Sequence, residues 1–185
     1  FPKKDIDIYI SGTLFNNKEV AVKVLRPNIV YNVEQDMNLL LFLIRFFGFF
    51  FFSKKKDNIY NFVLEIKNIL LKELNLNIEA ANACKMKRNF LFSKILVVPE
   101  VYWYLTKNNI LTMEFIHGIP INNVKLLNKL GFNLELIAKL CIQLFFIQVF
   151  RDKYFHADMH PGNILISTIS VLYPRIILLD YGIMG

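Results

Sequence analysis

Between residues 155 and 166 the chain reads FHADMHPGNILI: two His, an Asp, a Pro, a Gly and an Asn in one short segment, before apolar residues resume. Three chemistries compete for it. His156, Asp158 and His160 stand at alternate positions, a spacing that can ligate a metal. Asp158, with Asn163 five residues on, can orient a hydroxyl or water and hold a divalent cation for phosphoryl transfer. The same residue types also suit a plain polar turn. The metal site is short of ligands, because the only other His is His117 and no HExxH occurs.

Phosphoryl transfer draws on more of the chain. A kinase catalytic loop has the form H-R-D-x-x-x-x-N, and here His156-Ala157-Asp158 is followed by four residues and then Asn163. Such chemistry needs a second carboxylate for the metal, at a strand end, with a glycine that lets the chain turn away. Asp180-Tyr181-Gly182 follows an apolar run and supplies both. It also needs a strand Lys for the nucleotide phosphates, held by a helix Glu. Val20-Ala21-Val22-Lys23 matches the strand pattern; Glu79 is the best-placed Glu, with Glu65 and Glu73 as competitors. A buried Lys without a carboxylate is unfavourable, so the two groups require each other.

The elements that must hold these residues can be read from the same chain. Two apolar-rich runs, 9–14 and 19–25, flank Asn16-Asn17 and predict a β-hairpin. In the second run Lys23 points from one face while valines pack the other. Residues 58–90 carry a helical pattern in two pieces. A second hairpin is expected from 99–105 and 108–116 across the turn Lys107-Asn108-Asn109. Gly118 and Pro120 break the chain. Asn133 can cap a helix running to about residue 153, apolar nearly all round and therefore expected to be buried. Two short strands, 164–167 and 175–179, follow the polar loop. Sheet first and helix second suggest two lobes, 1–116 and 117–185.

Composition sets outer bounds. The chain has 185 residues, 55% hydrophobic, with mean hydropathy +0.38 and net charge +7. The excess of Phe, Ile, Asn, Lys and Tyr fits an AT-rich coding sequence, which accounts for part of the charge. No basic helix with interleaved aromatics stands out, so a nucleic-acid partner is not expected. The run LLLFLIRFFGFFFF, residues 39–52, is too short and too interrupted to span a bilayer. Followed by Lys54-Lys55-Lys56, it reads either as an interfacial membrane segment or as a buried core helix with a solvated loop after it. Cys84 and Cys141 are isolated, with no disulfide or zinc spacing, and read as core thiols in a reducing compartment. The start at Phe1 and the stop just after a strand-like run read as a piece of a longer protein.

Together these motifs resemble the UbiB-type atypical kinases, the ubiquinone-biosynthesis branch of the protein-kinase-like superfamily. The resemblance rests on KEVAVKVLRPNI, KELNLNIEAANACKMKRNF, VPEVY, TMEFIHGIP and QVFRDKYFHADMHPGNILIS, and runs from about Lys18 to Gly185. It implies an α+β, protein-kinase-like two-lobed fold: an N-lobe of antiparallel sheet plus helices (1–116), and a partial, mainly helical C-lobe (117–185). It implies ATP and Mg²⁺ as cofactors. Lys23 contacts the phosphates, Glu79 pairs with it, and Asp158 is the catalytic Asp. Asn163 and Asp180 hold Mg²⁺, and Glu114, Phe115 and Ile116 form the hinge that meets adenine. Glu73 matches an acidic position that, in relatives, pairs with a Lys of an N-terminal extension. The implied setting is the cytoplasmic face of the bacterial inner membrane, with a membrane lipid or quinone precursor and other ubiquinone-biosynthesis proteins as partners. The family's Ala/Ser-rich nucleotide loop is not matched by FPKKDIDIYISG, the extension is absent, and Tyr181 replaces the usual Phe. Two alternatives remain: a small-molecule phosphotransferase of the aminoglycoside/choline kinase kind, and a non-catalytic lipid-binding pseudokinase.

Overall fold

The computed structural model describes residues 7–14, 17–51 and 56–185. The first hairpin forms as expected: β1 (Asp7–Thr13) pairs antiparallel with β2 (Glu19–Leu25). Asn17 takes a left-handed φ of 61° in the connection, while Asn16 lies outside the described residues. Strand β4 (Ile110–Glu114) extends this sheet, with Lys23 opposite Leu111. The two faces of β2 differ from the sequence expectation. Ala21, Lys23 and Leu25 are buried, whereas Val22 and Val24 are half-buried. The cause is helix α3 (Leu76–Asn89), whose apolar stripe Leu76, Ala80, Ala83 and Met86 shares a core with Ala21 and Leu25. Asn75 caps that helix, its side chain accepting from the Asn77 N–H at 3.1 Å.

Between β2 and α3 the chain makes a helical pair, α1 (Ile29–Phe51) and α2 (Lys56–Glu73). The reading of 39–52 as a buried core helix fails. Leu41 is buried, but Leu39, Phe42, Phe46 and Phe47 are exposed, because only one side of α1 meets α2. Lys54 and Lys55, and the side chain of Lys56, lie outside the described residues. No helix among the described residues is long and apolar enough to cross a membrane.

The second expected hairpin is only partly formed. Lys107 bridges Ile110 across the turn and Val101 bridges Met113, but Trp103–Leu105 is a 3₁₀ turn rather than a strand. Side chains explain the departure. Thr106 Oγ1 donates to the Tyr102 carbonyl and accepts from the Thr112 N–H, and Thr112 Oγ1 donates to the Leu105 carbonyl.

A second sheet has the order β3-β7-β6-β5, built from β3 (Leu96–Val97), β5 (Gly118–Pro120), β6 (Ile164–Ser167) and β7 (Ile176–Leu178). Gly118 and Pro120 are therefore not simple breaks but an edge strand. A Cβ on Gly118 would sit 2.8 Å from Leu165 Cβ, and Pro120 occupies an edge where a missing donor is tolerated. Strand β3, drawn from before residue 116, runs parallel to β7, so this sheet takes strands from both sides of the expected lobe boundary.

Helix α4 (Val124–Lys129) ends at Gly131, whose φ of +82° suits glycine. Helix α5 (Leu134–Phe146) is capped by Asn133, as its sequence predicts, and continues into a π-helical turn, Ile147–Asp152. The expectation that it is buried all round is corrected. Ile137, Leu144 and Gln148 are buried, but Ile142, Phe145, Phe146 and Phe150 are exposed, since the described residues cover one side only. Cys84 and Cys141 are free and half-buried beside the core rather than inside it.

Candidate active site

The strand Lys and the helix Glu meet. Lys23 Nζ donates to Glu79 Oε2 at 2.6 Å and lies 3.8 Å from Asp180 Oδ2, with the three residues 4, 3 and 7% exposed. The competitors Glu65 and Glu73 are exposed on α2. Burial pushes the Glu79 carboxyl up; the Lys23 ammonium draws it back, Asp180 pushes it up again, and the net direction is upward. Glu79 Oε1 also accepts from the Tyr181 N–H at 3.4 Å, so one carboxylate spans the Lys strand and the DYG turn. Tyr181 is fully buried, and its hydroxyl donates to the Leu178 carbonyl at 2.9 Å. The added oxygen is thus satisfied where a Phe would need nothing. Burial holds that hydroxyl's pKa well above its ordinary value.

The polar loop is a folded turn. The His156 N–H donates to Gln148 Oε1 at 2.8 Å, and His156 Nδ1 accepts from the Asp158 N–H at 3.1 Å. His160 Nδ1 accepts from the Gly162 N–H at 3.0 Å. Both histidines thus spend a ring nitrogen on the turn instead of converging as ligands. Among the described residues no cluster of three His, Cys, Asp or Glu is placed to hold a metal. Asn163 is fully buried, and its Nδ2 donates to the Asp158 carbonyl at 3.2 Å and to Asp158 Oδ2 at 3.4 Å. That fixes the amide with Oδ1 turned away, buried and without a hydrogen-bond partner among the described residues.

Register brings the two candidate cation-binding residues together. Ile164 pairs with Leu178, and the Leu179 N–H donates to the Asn163 carbonyl at 3.1 Å, which sets Asn163 one residue from Asp180 across the ladder. Beyond the DYG turn, Ile183 accepts from the Ala157 N–H, and Gly185 exchanges backbone bonds with Phe155. The expected hinge lies across a cavity of about 420 Å³ whose lining includes Phe115, Ile116, Gly162 and Leu179. The N–H groups of Glu114 and Phe115 already donate to the carbonyls of Glu100 and Glu19. Ile116 N–H makes no bond among the described residues.

Residues 8–185 match the ABC1 atypical kinase-like domain. The chain belongs to this family. It is 39% identical over 175 residues to a probable protein kinase UbiB of Marinobacter nauticus, covering 95% of this chain and 32% of the relative. A probable protein kinase UbiB of Klebsiella pneumoniae is 43% identical over 170 residues, covering 92% of this chain and 31% of the relative. The chain thus spans about a third of the length of these curated relatives. Among solved structures, the Rv3197 protein of Mycobacterium tuberculosis, determined with erythromycin, aligns at TM-score 0.77 and 21% identity over 98% of this chain and 44% of that one. The fold is α+β and protein-kinase-like.

This ABC1 domain also relies on residues that motif reasoning did not assign. Asn82 Nδ2 donates to the Tyr181 carbonyl at 2.9 Å, and Asn82 Oδ1 accepts the Tyr154 hydroxyl at 2.8 Å. Lys85 Nζ sits 3.7 Å from the centre of the Tyr154 ring. Arg151 pairs with Asp152, donates to the Asn89 carbonyl at 3.0 Å and stacks over Phe90. The segments EAANACKMKRNF and VFRDKYF, read separately as family features, therefore lock onto one another. Gln148, aimed by the π-helical turn, is fully buried beneath the loop it holds. The sequence signal was present in those two segments, but their pairing across more than sixty residues was not readable.

Proposed function

We propose that this ABC1 domain is the nucleotide-handling core of a UbiB-type atypical kinase or ATPase that binds Mg-ATP and supports ubiquinone biosynthesis. The observation that carries the reading is the buried Lys23–Glu79–Asp180 group beside Asn163. A divalent cation with hard-oxygen preference fits there: Asp180 offers carboxylate oxygen, and Asn163 offers a buried amide oxygen that no described residue satisfies. When bound, Mg-ATP supplies the phosphoryl group. Lys23 meets its phosphates and Glu79 keeps that ammonium aimed. Phe115 and Ile116 line the adenine side, with Glu114 preceding them at the end of β4, between an N-lobe of 1–116 and a partial C-lobe from 117. Asp158, at the mouth of the loop, orients the hydroxyl or water that receives the group and takes its proton.

For the whole protein's setting we propose what the UbiB resemblance implies, with α1 as its support in the structure. We place it on the cytoplasmic face of the bacterial inner membrane, near a membrane lipid or quinone precursor and other ubiquinone-biosynthesis proteins. The exposed apolar side of α1, followed by three lysines, supports interfacial binding.

The test is a thermal melt of the full-length protein with and without Mg-ATP, beside Asp180→Asn. Nucleotide at about 100 times its dissociation constant stabilises by about 2.7 kcal/mol. The expected result is a Mg²⁺-dependent shift that the variant loses. A wild-type protein whose melt ignores Mg-ATP would overturn the reading.

A further inference from the structure

A second cavity, of about 670 Å³, opens between the 91–95 loop, α5 and the turn joining β6 to β7. Its size falls in the range of about 300–1,000 Å³ common to small-molecule pockets. It is separate from the candidate active site. Asn163 and Asp180 stand at one end of the β6–β7 ladder, whereas the Ser167 N–H bonds the Arg175 carbonyl at the other.

The lining is chemically lopsided. Leu136 and Leu140 of α5, with Leu91 and Leu172, make it apolar. Among the described residues its charged lining is Lys94 and Arg175, with no carboxylate. Strand register gathers the two cations at one end, since the Ile176 N–H bonds the Ile95 carbonyl and Leu96 pairs with Ile176. Arg175 is incompletely satisfied. Its Nη2 donates to the Leu96 and Ser93 carbonyls at 3.3 and 3.5 Å, long for such bonds. Its Nε is buried with no hydrogen-bond partner among the described residues. That Nε is shielded from the cavity, so the attraction comes from the lining itself: Lys94 is exposed and Arg175 half-buried, and an anion is the partner that two cations on one wall fit best.

We propose that this cavity binds an amphiphile with an anionic head, the head at Arg175 and Lys94 and the tail along Leu136, Leu140 and Leu172. Carboxylate and phosphate heads share the required chemistry, and an apolar tail is what the remainder of the lining takes. This site goes beyond the nucleotide reading and does not depend on it.

The test is calorimetric titration of the full-length protein with laurate, dodecyl phosphate, dodecanol and inorganic phosphate, each kept below aggregation. Laurate or dodecyl phosphate is expected to bind saturably, the tighter one naming the head group. Dodecanol and inorganic phosphate are expected to bind at least ~10-fold more weakly. Arg175→Gln, which keeps a donor for the Leu96 carbonyl, is expected to weaken binding by ~10-fold or more. Leu172→Asp changes a residue that is 79% exposed, so it tests the pocket without threatening the fold, and it should weaken binding comparably. Absence of saturable binding by either anionic amphiphile overturns the proposal. So does equal binding by both variants, by dodecanol, or by inorganic phosphate alone.

Discussion

The hydroxyl of Tyr154 donates to Asn82 Oδ1, and the other end of the same amide holds the carbonyl of Tyr181. One side chain of α3 thus fastens the approach to the candidate catalytic loop and the DYG turn, 72 and 99 residues away. Glu79 lies one turn earlier on the same helix and grips Lys23. Helix α3 thus ties together the Lys23 strand, the DYG turn and the approach to the candidate catalytic loop.

This arrangement predicts a specific failure of additivity. Tyr154→Phe removes one donor and is expected to lower stability by about 0.5–1.5 kcal/mol. Asn82→Ala leaves the Tyr181 carbonyl and the Tyr154 hydroxyl without their partner, at about 1–3 kcal/mol. With Asn82 gone, Tyr154→Phe should add less than about 0.5 kcal/mol. Urea midpoints of the four proteins measure this, and simple addition of the two losses would show that the pair is not coupled.

The Lys23–Glu79 pair should behave as a buried ion pair. Lys23→Met leaves a carboxylate buried beside Asp180 and is expected to cost about 3–5 kcal/mol. Adding Glu79→Gln removes that charge, so the double variant should be the more stable of the two in denaturant. A double variant weaker than Lys23→Met would mean that the bond from the Tyr181 N–H, rather than the pairing with Lys23, dominates what Glu79 contributes.

The raised Glu79 carboxyl gives this pair a pH signature. In the window between the unfolded value, about 4.3, and the higher folded one, the folded protein binds the extra proton. The Glu79 contribution is therefore complete below about pH 4 and is lost as pH rises through the folded value. The wild-type stability minus that of Glu79→Gln should fall across that window. A difference that instead rises from pH 4 to 7 would mean that Lys23 outweighs burial and the folded carboxyl is depressed.

Asp158 should be dispensable for folding and indispensable for function. Its side chain is 36% exposed, and an Asn there can still meet the Asn163 amide. Asp158→Asn is expected to shift stability by no more than about 0.5 kcal/mol while abolishing rescue of ubiquinone synthesis in a deficient cell. Full rescue by this variant would remove Asp158 from the chemistry.

Motif spacing could single out the candidate residues Lys23, Asn163 and Asp180 because they sit on a strand or beside strand ends, where local sequence sets direction. Glu79 could be preferred over Glu65 and Glu73 but not decided, since that depends on which helix packs against β2. The caps at Asn75 and Asn133 follow from short-range rules, yet only Asn133 was read. The burial of α1 stays open in the sequence, and that of α5 is overestimated from it, because an apolar helix looks the same in sequence whether or not another element covers it. The 3₁₀ turn at Trp103–Leu105 was missed because Thr106 and Thr112 bond local carbonyls, a contest that strand alternation does not register.

The exposed end of α1 yields the last prediction. From residue 39 to residue 56 the sequence holds four cations, Arg45 and Lys54 to Lys56, and no acid. Phe46 and Phe47 are 58 and 46% exposed and pack edge to face. An apolar helix with a basic flank partitions into an anionic bilayer surface by two separable forces. Burying one exposed aromatic is worth about 1.5–3 kcal/mol, and a lysine near such a surface about 1 kcal/mol. Phe46→Ser with Phe47→Ser should therefore reduce binding to anionic vesicles by more than about 10-fold while changing the melting temperature little. Replacing the three lysines with Gln should give a loss that vanishes at high salt, because salt screens the charge but not the aromatic contact. Vesicle co-sedimentation at two ionic strengths separates the two. Unaltered sedimentation of the double serine variant would show that α1 faces protein rather than lipid.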